Sequence, residues 1–81
     1  MSGTRPRRLL LVVNPRASKV DESLVGRVED ALGGEVRTER TAARGDATRI
    51  ARELEGTVDA IAVFGGDGTY NEVLNGVSGA T

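Results

Sequence analysis

The stretch VFGGDGTYNEVLNG, from Val63 to Gly76, climbs out of an apolar run, passes three glycines around one aspartate, and re-enters a helix-like pattern. Glycine is costly in ordered structure unless a turn needs unusual φ/ψ or another molecule must approach the backbone closely. Upstream, Ala60–Phe64 (AIAVF) is short and continuously apolar, as a strand buried on both faces is. Downstream, Val73, Leu74 and Val77 make an apolar stripe at helical spacing. Thr69, with Glu72 three residues on, spells a capping box that starts this helix near Thr69. The turn is therefore a strand-to-helix junction with a carboxylate at its centre.

The same alternation runs back to the N-terminus. Leu9–Val13 is a second apolar strand, stopped by Asn14-Pro15. From Lys19 to Leu32, the residues Val20, Leu24, Val25, Val28 and Leu32 mark one helix face, which Gly33-Gly34 closes. Glu35–Thr41 (EVRTERT) is β-permissive but polar and reads as a short edge strand. After a turn over Thr41–Gly45, Asp46 is placed to cap a helix that runs through Leu54, with Ala47, Ile50, Ala51 and Leu54 on one side. Gly56–Asp59 is a loop. Crossovers of this length join parallel strands. The expected fold is α/β, a three-layer, mostly parallel sheet in βαβαβα order. Three strands are about half of an ordinary sheet. The chain thus reads as the N-terminal part of a larger domain, residues 9–81, behind a basic tail, residues 1–8.

Composition narrows the chemistry. With 81 residues, one Phe, one Tyr and no Trp, the core must come from aliphatic side chains. Eleven basic residues against twelve acidic ones leave a net charge of −1, which speaks against a general nucleic-acid binder. Cysteine and histidine are both absent. Disulfides, thiolate or imidazole metal sites and histidine-based triads are excluded. Leu9–Val13 is too short for the apolar segment of a signal peptide and far below the ~20 residues of a membrane span. The expected location is cytoplasmic. Arg5, Arg7 and Arg8 are either a solubilising tail or a weak contact to the inner face of an anionic membrane.

In an open parallel sheet the C-terminal strand ends share one edge, where ligands bind. Three polar turns fall at such ends: Asn14 to Lys19, Thr41 with Arg44-Gly45-Asp46, and Gly65 to Thr69. The glycine turn, followed by the N-terminus of a helix, suits a phosphate. Asp67 would repel a bare phosphate, so either Mg²⁺ accompanies it or the carboxylate locks the turn by a hydrogen bond. A tight turn with no ligand is the plainer alternative for the glycines. Asn14 has one too, as a strand end held extended by Pro15. The familiar glycine loops do not fit. No G-x-x-x-x-G-K-[ST] is present, and G-x-G-x-x-G fails at Asn71.

GGDGTYNEVLNG closely resembles the GGDGT-x-NEV-x-NG signature of the diacylglycerol kinase catalytic domain family, which includes bacterial lipid kinases and sphingosine and ceramide kinases. VVNPRASK resembles that family's NP-x-S-G stretch, and TAARGDATRIARE its T-x(3)-GDA segment. The three motifs stand in order and cover nearly the whole chain. The resemblance implies a nucleotide-binding α/β domain, ATP and Mg²⁺ as cofactors, and transfer of the γ-phosphoryl group to a lipid alcohol held by later segments. Those segments also carry the catalytic base, so this chain alone is expected to be inactive. By position, Asn14, Pro15, Arg16, Ala17 and Ser18 border the nucleotide and Thr41 touches it. Gly65, Gly66, Asp67, Gly68, Thr69, Tyr70 and Asn71 wrap the phosphates, with Asp67 near the metal.

Two departures stand out. Ala17-Ser18 replaces Ser-Gly, and Tyr70 replaces a small aliphatic residue, either narrowing the adenine side or packing on its helix. NAD kinases share the fold and a GGDGT turn, but Asn71-Glu72-Val73 followed by Asn75-Gly76 is the lipid-kinase continuation. A different alternative is a non-catalytic fragment that self-associates through an open strand edge beside Ala60–Phe64.

Overall fold

The computed structural model of the chain describes residues 7–17 and 20–78, apart from the Ser78 side chain. Ser18, Lys19 and Arg5, to which the sequence assigned roles, lie outside the described residues. The elements are β1 (Arg8–Val13), α1 (Glu22–Leu32), β2 (Glu35–Arg40), α2 (Asp46–Leu54), a 3₁₀ turn (Glu55–Thr57), β3 (Ala60–Phe64) and α3 (Asp67–Ser78). All pairing is parallel and the strand order is β2-β1-β3. Both neighbours register on β1, with Leu9 opposite Val36 and Ala60, and Val13 opposite Arg40 and Phe64.

A central strand is covered on both faces, which is why LLLVV has no polar residue. Leu9 through Val13 are all buried. Alternate residues face opposite layers. Leu10 and Val12 pack with Ala47, Ile50 and Ala51 of α2, Val73 of α3, and Ile61 and Val63 of β3. Leu11 and Val13 pack with Val25, Val28 and Leu32 of α1, and with Val36, Ala62 and Phe64. The chain steps from β1 to β2, then back across β1 to β3. Right-handed crossovers in opposite directions place their helices on opposite faces, and α1 and α2 do lie on opposite faces. The three-layer α/β fold is present as the sequence reading had it.

The element ends differ in instructive ways. β1 begins at Arg8, a residue assigned above to the tail. α1 begins at Glu22, not Lys19, because Asp21 caps it by accepting the Leu24 N–H at 3.0 Å. Its carboxylate also accepts from the Ser23 hydroxyl, and these bonds hold its pKa below the ordinary value. Gly33 and Gly34 both take positive φ as they end the helix. The loop expected over Gly56–Asp59 begins with the 3₁₀ turn Glu55–Thr57 instead.

β2 keeps its polar sequence because it is an edge whose α1-facing side is bridged by polar contacts. The Thr38 hydroxyl donates to Glu29, and Arg40 holds Glu22 through two guanidinium nitrogens at 2.5 and 3.1 Å. Arg49 pairs with Glu53 at 3.3 Å on the outer face of α2. Both residues of that pair are exposed, and such pairs add little to stability.

The cap gives a first testable outcome. Replacing Asp21 by Ala should fray the first turn of α1, seen as lost far-UV helicity and lost exchange protection at Leu24 and Val25. The same bonds set a pH dependence. A carboxylate whose folded pKa is depressed contributes stability above its unfolded pKa and loses it as pH falls through the folded value. Urea midpoints should therefore drop below about pH 4, the ordinary aspartate range, and Asp21→Asn should flatten that drop.

Candidate functional site

The three strand-end turns meet. At the C-terminal edge of the sheet lies an open pocket of about 230 Å³. Asn14 and Arg16 line it from the turn after β1, Thr41, Ala42, Ala43 and Arg44 from the loop after β2, and Gly68, Thr69 and Glu72 from α3. Of the residues assigned by sequence, Asn14, Arg16, Thr41, Gly68 and Thr69 are gathered here. Pro15, Ala17, Gly65, Gly66, Asp67, Tyr70 and Asn71 are not on the pocket wall.

Asn14 is placed by its backbone and shapes the turn with its side chain. Its N–H donates to the Phe64 carbonyl at 3.0 Å, which extends the β1–β3 ladder by one bond. Its Oδ1 accepts the Arg16 N–H at 3.0 Å and its carbonyl accepts the Ala17 N–H at 3.1 Å. This is a turn with Pro15 at the position that favours proline. No non-glycine residue among those described has positive φ. The position of the family's glycine, Ser18, lies outside the described residues.

The three glycines of the GGDG turn have three different reasons. A Cβ on Gly65 would lie 2.8 Å from the Asn14 Cβ and 2.9 Å from the Thr69 hydroxyl, so Gly65 lets the ends of β1 and β3 close on α3. Gly66 has φ +113°, a conformation that side chains rarely adopt. Gly68 faces open space and lines the pocket. Packing thus accounts for Gly65 and backbone conformation for Gly66, as the plainer reading of a tight turn has it, while Gly68 lines the pocket.

The helix start is corrected as well. α3 begins at Asp67, and its first intrahelical bond runs from the Tyr70 N–H to the Gly66 carbonyl. The N–H groups of Asp67, Gly68 and Thr69 precede that ladder at the positive end of the helix. Thr69 is not an N-cap but a buried first-turn residue, 6 % exposed. No capping box forms, because the Glu72 carboxylate reaches across to accept the Gly45 N–H at 3.2 Å. Asp67 is exposed and makes no hydrogen bond or ion pair with the described residues, so it does not lock the turn. Leu74 is 42 % exposed and does not join the core as the periodicity suggested, and Tyr70 is 53 % exposed.

Asp46 is a further correction. It is the first helical residue of α2, whose N-cap is Gly45 with φ +91° and no side-chain cap bond. Its carboxylate turns back instead, accepting the N–H groups of Ala42 at 2.7 Å and Ala43 at 3.0 Å. These two bonds hold its pKa below the ordinary value.

The sequence reading placed Arg44 only within a turn at the sheet edge and left Glu72 to a capping box. The signal available was position: both lie within three or four residues of a residue assigned to the site. The wall they complete carries two guanidinium groups, one carboxylate and the free amides of a helix start. That arrangement fits an anion joined to a group bearing hydrogen-bond donors and acceptors. Among the described residues no cluster of three or more acidic side chains is able to hold a metal by itself.

The sequence pattern of the Diacylglycerol kinase catalytic domain matches residues 8–81. The chain belongs to that family. Among solved structures it is similar to three from Bacillus anthracis str. Sterne, two named as putative diacylglycerol kinases and one as a diacylglycerol kinase. One is 35 % identical with a TM-score of 0.80, covering 94 % of this chain and 28 % of that one. A second is 37 % identical with a TM-score of 0.74, and a third 36 % identical with 0.75, each covering 90 % of this chain and 28 % of its own. No curated protein matches. The chain thus spans little more than a quarter of the length of these family structures. The Asn71–Gly76 continuation favoured the lipid-kinase branch over NAD kinase, and the family match falls on the same side. No helix among the described residues is long and apolar enough to cross a membrane.

Proposed function

We propose that this chain is the nucleotide-binding part of an ATP-dependent lipid kinase, which transfers the γ-phosphoryl group of ATP to a lipid hydroxyl of the diacylglycerol kind. One observation carries the reading: the three motifs that define the family resemblance converge on a single pocket at the strand ends. The amides ahead of the α3 ladder, with Arg16 and Arg44, would hold phosphate oxygens. Asn14, Thr41 and Glu72 would meet the polar edges of the nucleoside. A volume of about 230 Å³ lies below the roughly 300–1,000 Å³ of sites that enclose a ligand. These residues alone would grip only part of a nucleotide.

Mg²⁺ is tested against the residues present. It is held by one or two carboxylates together with substrate phosphates and water, not by an all-protein cage. One unpartnered carboxylate, Asp67, one residue from the pocket wall, fits that pattern. Bound there with ATP, the ion would neutralise charge developing on the phosphates. Asp67 would orient it, directly or through water. The lipid alcohol and the catalytic base would be held by other parts of the protein, and Arg5, Arg7 and Arg8 would add at most a weak contact to an anionic membrane.

An amide NMR titration of the labelled chain with Mg·ATP tests the reading. Shifts should concentrate at Asn14–Ala17, Thr41–Arg44 and Gly65–Glu72. A dispersed spectrum with no response at millimolar nucleotide would overturn the assignment of these residues. The isolated chain with Mg·ATP and diacylglycerol vesicles should form no phosphorylated lipid above a no-protein control, since phosphoryl transfer needs several parts in place at once.

A further inference from the structure

The loop between β2 and α2 forms one wall of the pocket, yet nothing apolar holds its shape. Ala42, Ala43, Arg44 and Gly45 are all exposed. Its order comes from where its amides go. The Thr41 N–H donates to the Val13 carbonyl at 2.8 Å, which fixes the loop's first residue to β1. The Ala42 and Ala43 N–H groups both donate to Asp46 Oδ2, and Gly45 donates to Glu72. Asp46 Oδ1 faces Arg49 at 3.9 Å. One carboxylate oxygen thus gathers two successive amides just before the left-handed Gly45.

We propose that Asp46 is a positioning residue for the nucleotide pocket: by taking the Ala42 and Ala43 amides it presets the Thr41–Arg44 wall in the shape that meets the nucleotide. The proposal rests on the nucleotide reading above. A helix-cap role would have used the same carboxylate on amides inside α2, and it does not. Bonds from an ionised acceptor are about twice as strong as neutral ones. An Asn at this position keeps the shape and one acceptor oxygen but loses the charge. An Ala loses both, leaving two loop amides to water and the wall free to sample other shapes. If the binding shape then falls to one-tenth of the population, apparent affinity falls about tenfold.

The experiment is a Mg·ATP titration of the full 81-residue chain and of Asp46→Asn and Asp46→Ala, read by amide NMR. Affinity should fall in the order wild type, Asn, Ala, with Ala about tenfold weaker than wild type. Val12 and Val25 amides should keep their shifts in each variant, marking an intact core. In the wild type the Ala42 and Ala43 amide protons should move as pH falls through the Asp46 ionisation, and in Asp46→Asn they should not. Wild-type affinity in a folded Asp46→Ala chain overturns the positioning role and leaves the nucleotide reading standing. If Asp46→Ala fails to fold, Asp46→Asn decides: wild-type affinity there overturns the proposal. No binding by the wild-type chain overturns the nucleotide reading, and the proposal with it.

Discussion

Gly76→Ala is expected to lower this chain's stability by forcing α2 and α3 apart. A Cβ at Gly76 would sit 2.5 Å from the Thr48 carbonyl oxygen, 2.9 Å from the Ala51 Cβ and 3.2 Å from the Arg52 amide. Two of these atoms are backbone of α2, so no rotamer change relieves the clash and the helices must part. Their separation would also strain the Thr48 hydroxyl, which donates to the Glu72 carbonyl at 2.7 Å. Overpacking of this kind costs about 1–3 kcal/mol, offset by up to ~1 kcal/mol of improved helix propensity. The net loss should be about 1–2 kcal/mol, roughly 5–15 °C in Tm for a domain of this size. Gly26→Ala in α1 is the control, because a Cβ there meets nothing within 4 Å. It should stabilise by about 0.5–1 kcal/mol. Equal and small effects of the two changes on the urea midpoint would show that α2 and α3 are not packed this closely.

Gly68→Ala should do the reverse: leave the fold intact and damage the site. Its Cβ would meet no protein atom within 4 Å, so stability should stay level or rise slightly. Yet the methyl group would stand on the pocket wall at the start of α3, where, on the proposed nucleotide reading, a phosphate would approach the amides. Affinity for Mg·ATP should drop about tenfold or more, the equivalent of at least ~1.4 kcal/mol. Gly65→Ala makes the contrast, since its Cβ would strike Asn14 and Thr69 and should lower stability and binding together. If Gly68→Ala binds as the wild type does, the nucleotide does not approach this turn, and the assignment of Gly65–Asn71 to phosphate fails.

The recurrence of apolar residues made the architecture legible before any coordinate. LLLVV and AIAVF are apolar because both faces of their strands meet helices, and EVRTERT is polar because it lies at an edge. Those are burial effects, and burial writes itself into local composition. Polar side chains were read less well. Asp46, Thr69 and Glu72 each sit where a cap would be expected, and none caps in the expected way. A carboxylate at a helix start has several N–H groups within reach. Which it takes depends on where neighbouring segments bring theirs, and no spacing rule carries that information. Glu72 bonds to Gly45, twenty-seven residues away. Leu74 stands exposed for a related reason: periodicity placed it in one stripe with Val73 and Val77, but α3 meets α2 through Val73, Gly76 and Val77, with the close approach at Gly76.

The family was legible from twelve residues, since GGDGTYNEVLNG is a contiguous string whose order survives without a fold. What each of its glycines does was not. A glycine's meaning lies in the atoms that surround its missing Cβ, and those come from β1, from α2 and from open solvent. The sequence by itself determined the layers, the strand order's polar edge and the family. The shared edge of the three turns was legible too; only the tertiary structure decided that Asp46 and Glu72 hold the pocket wall there, and that Gly68 alone among the three glycines lines it.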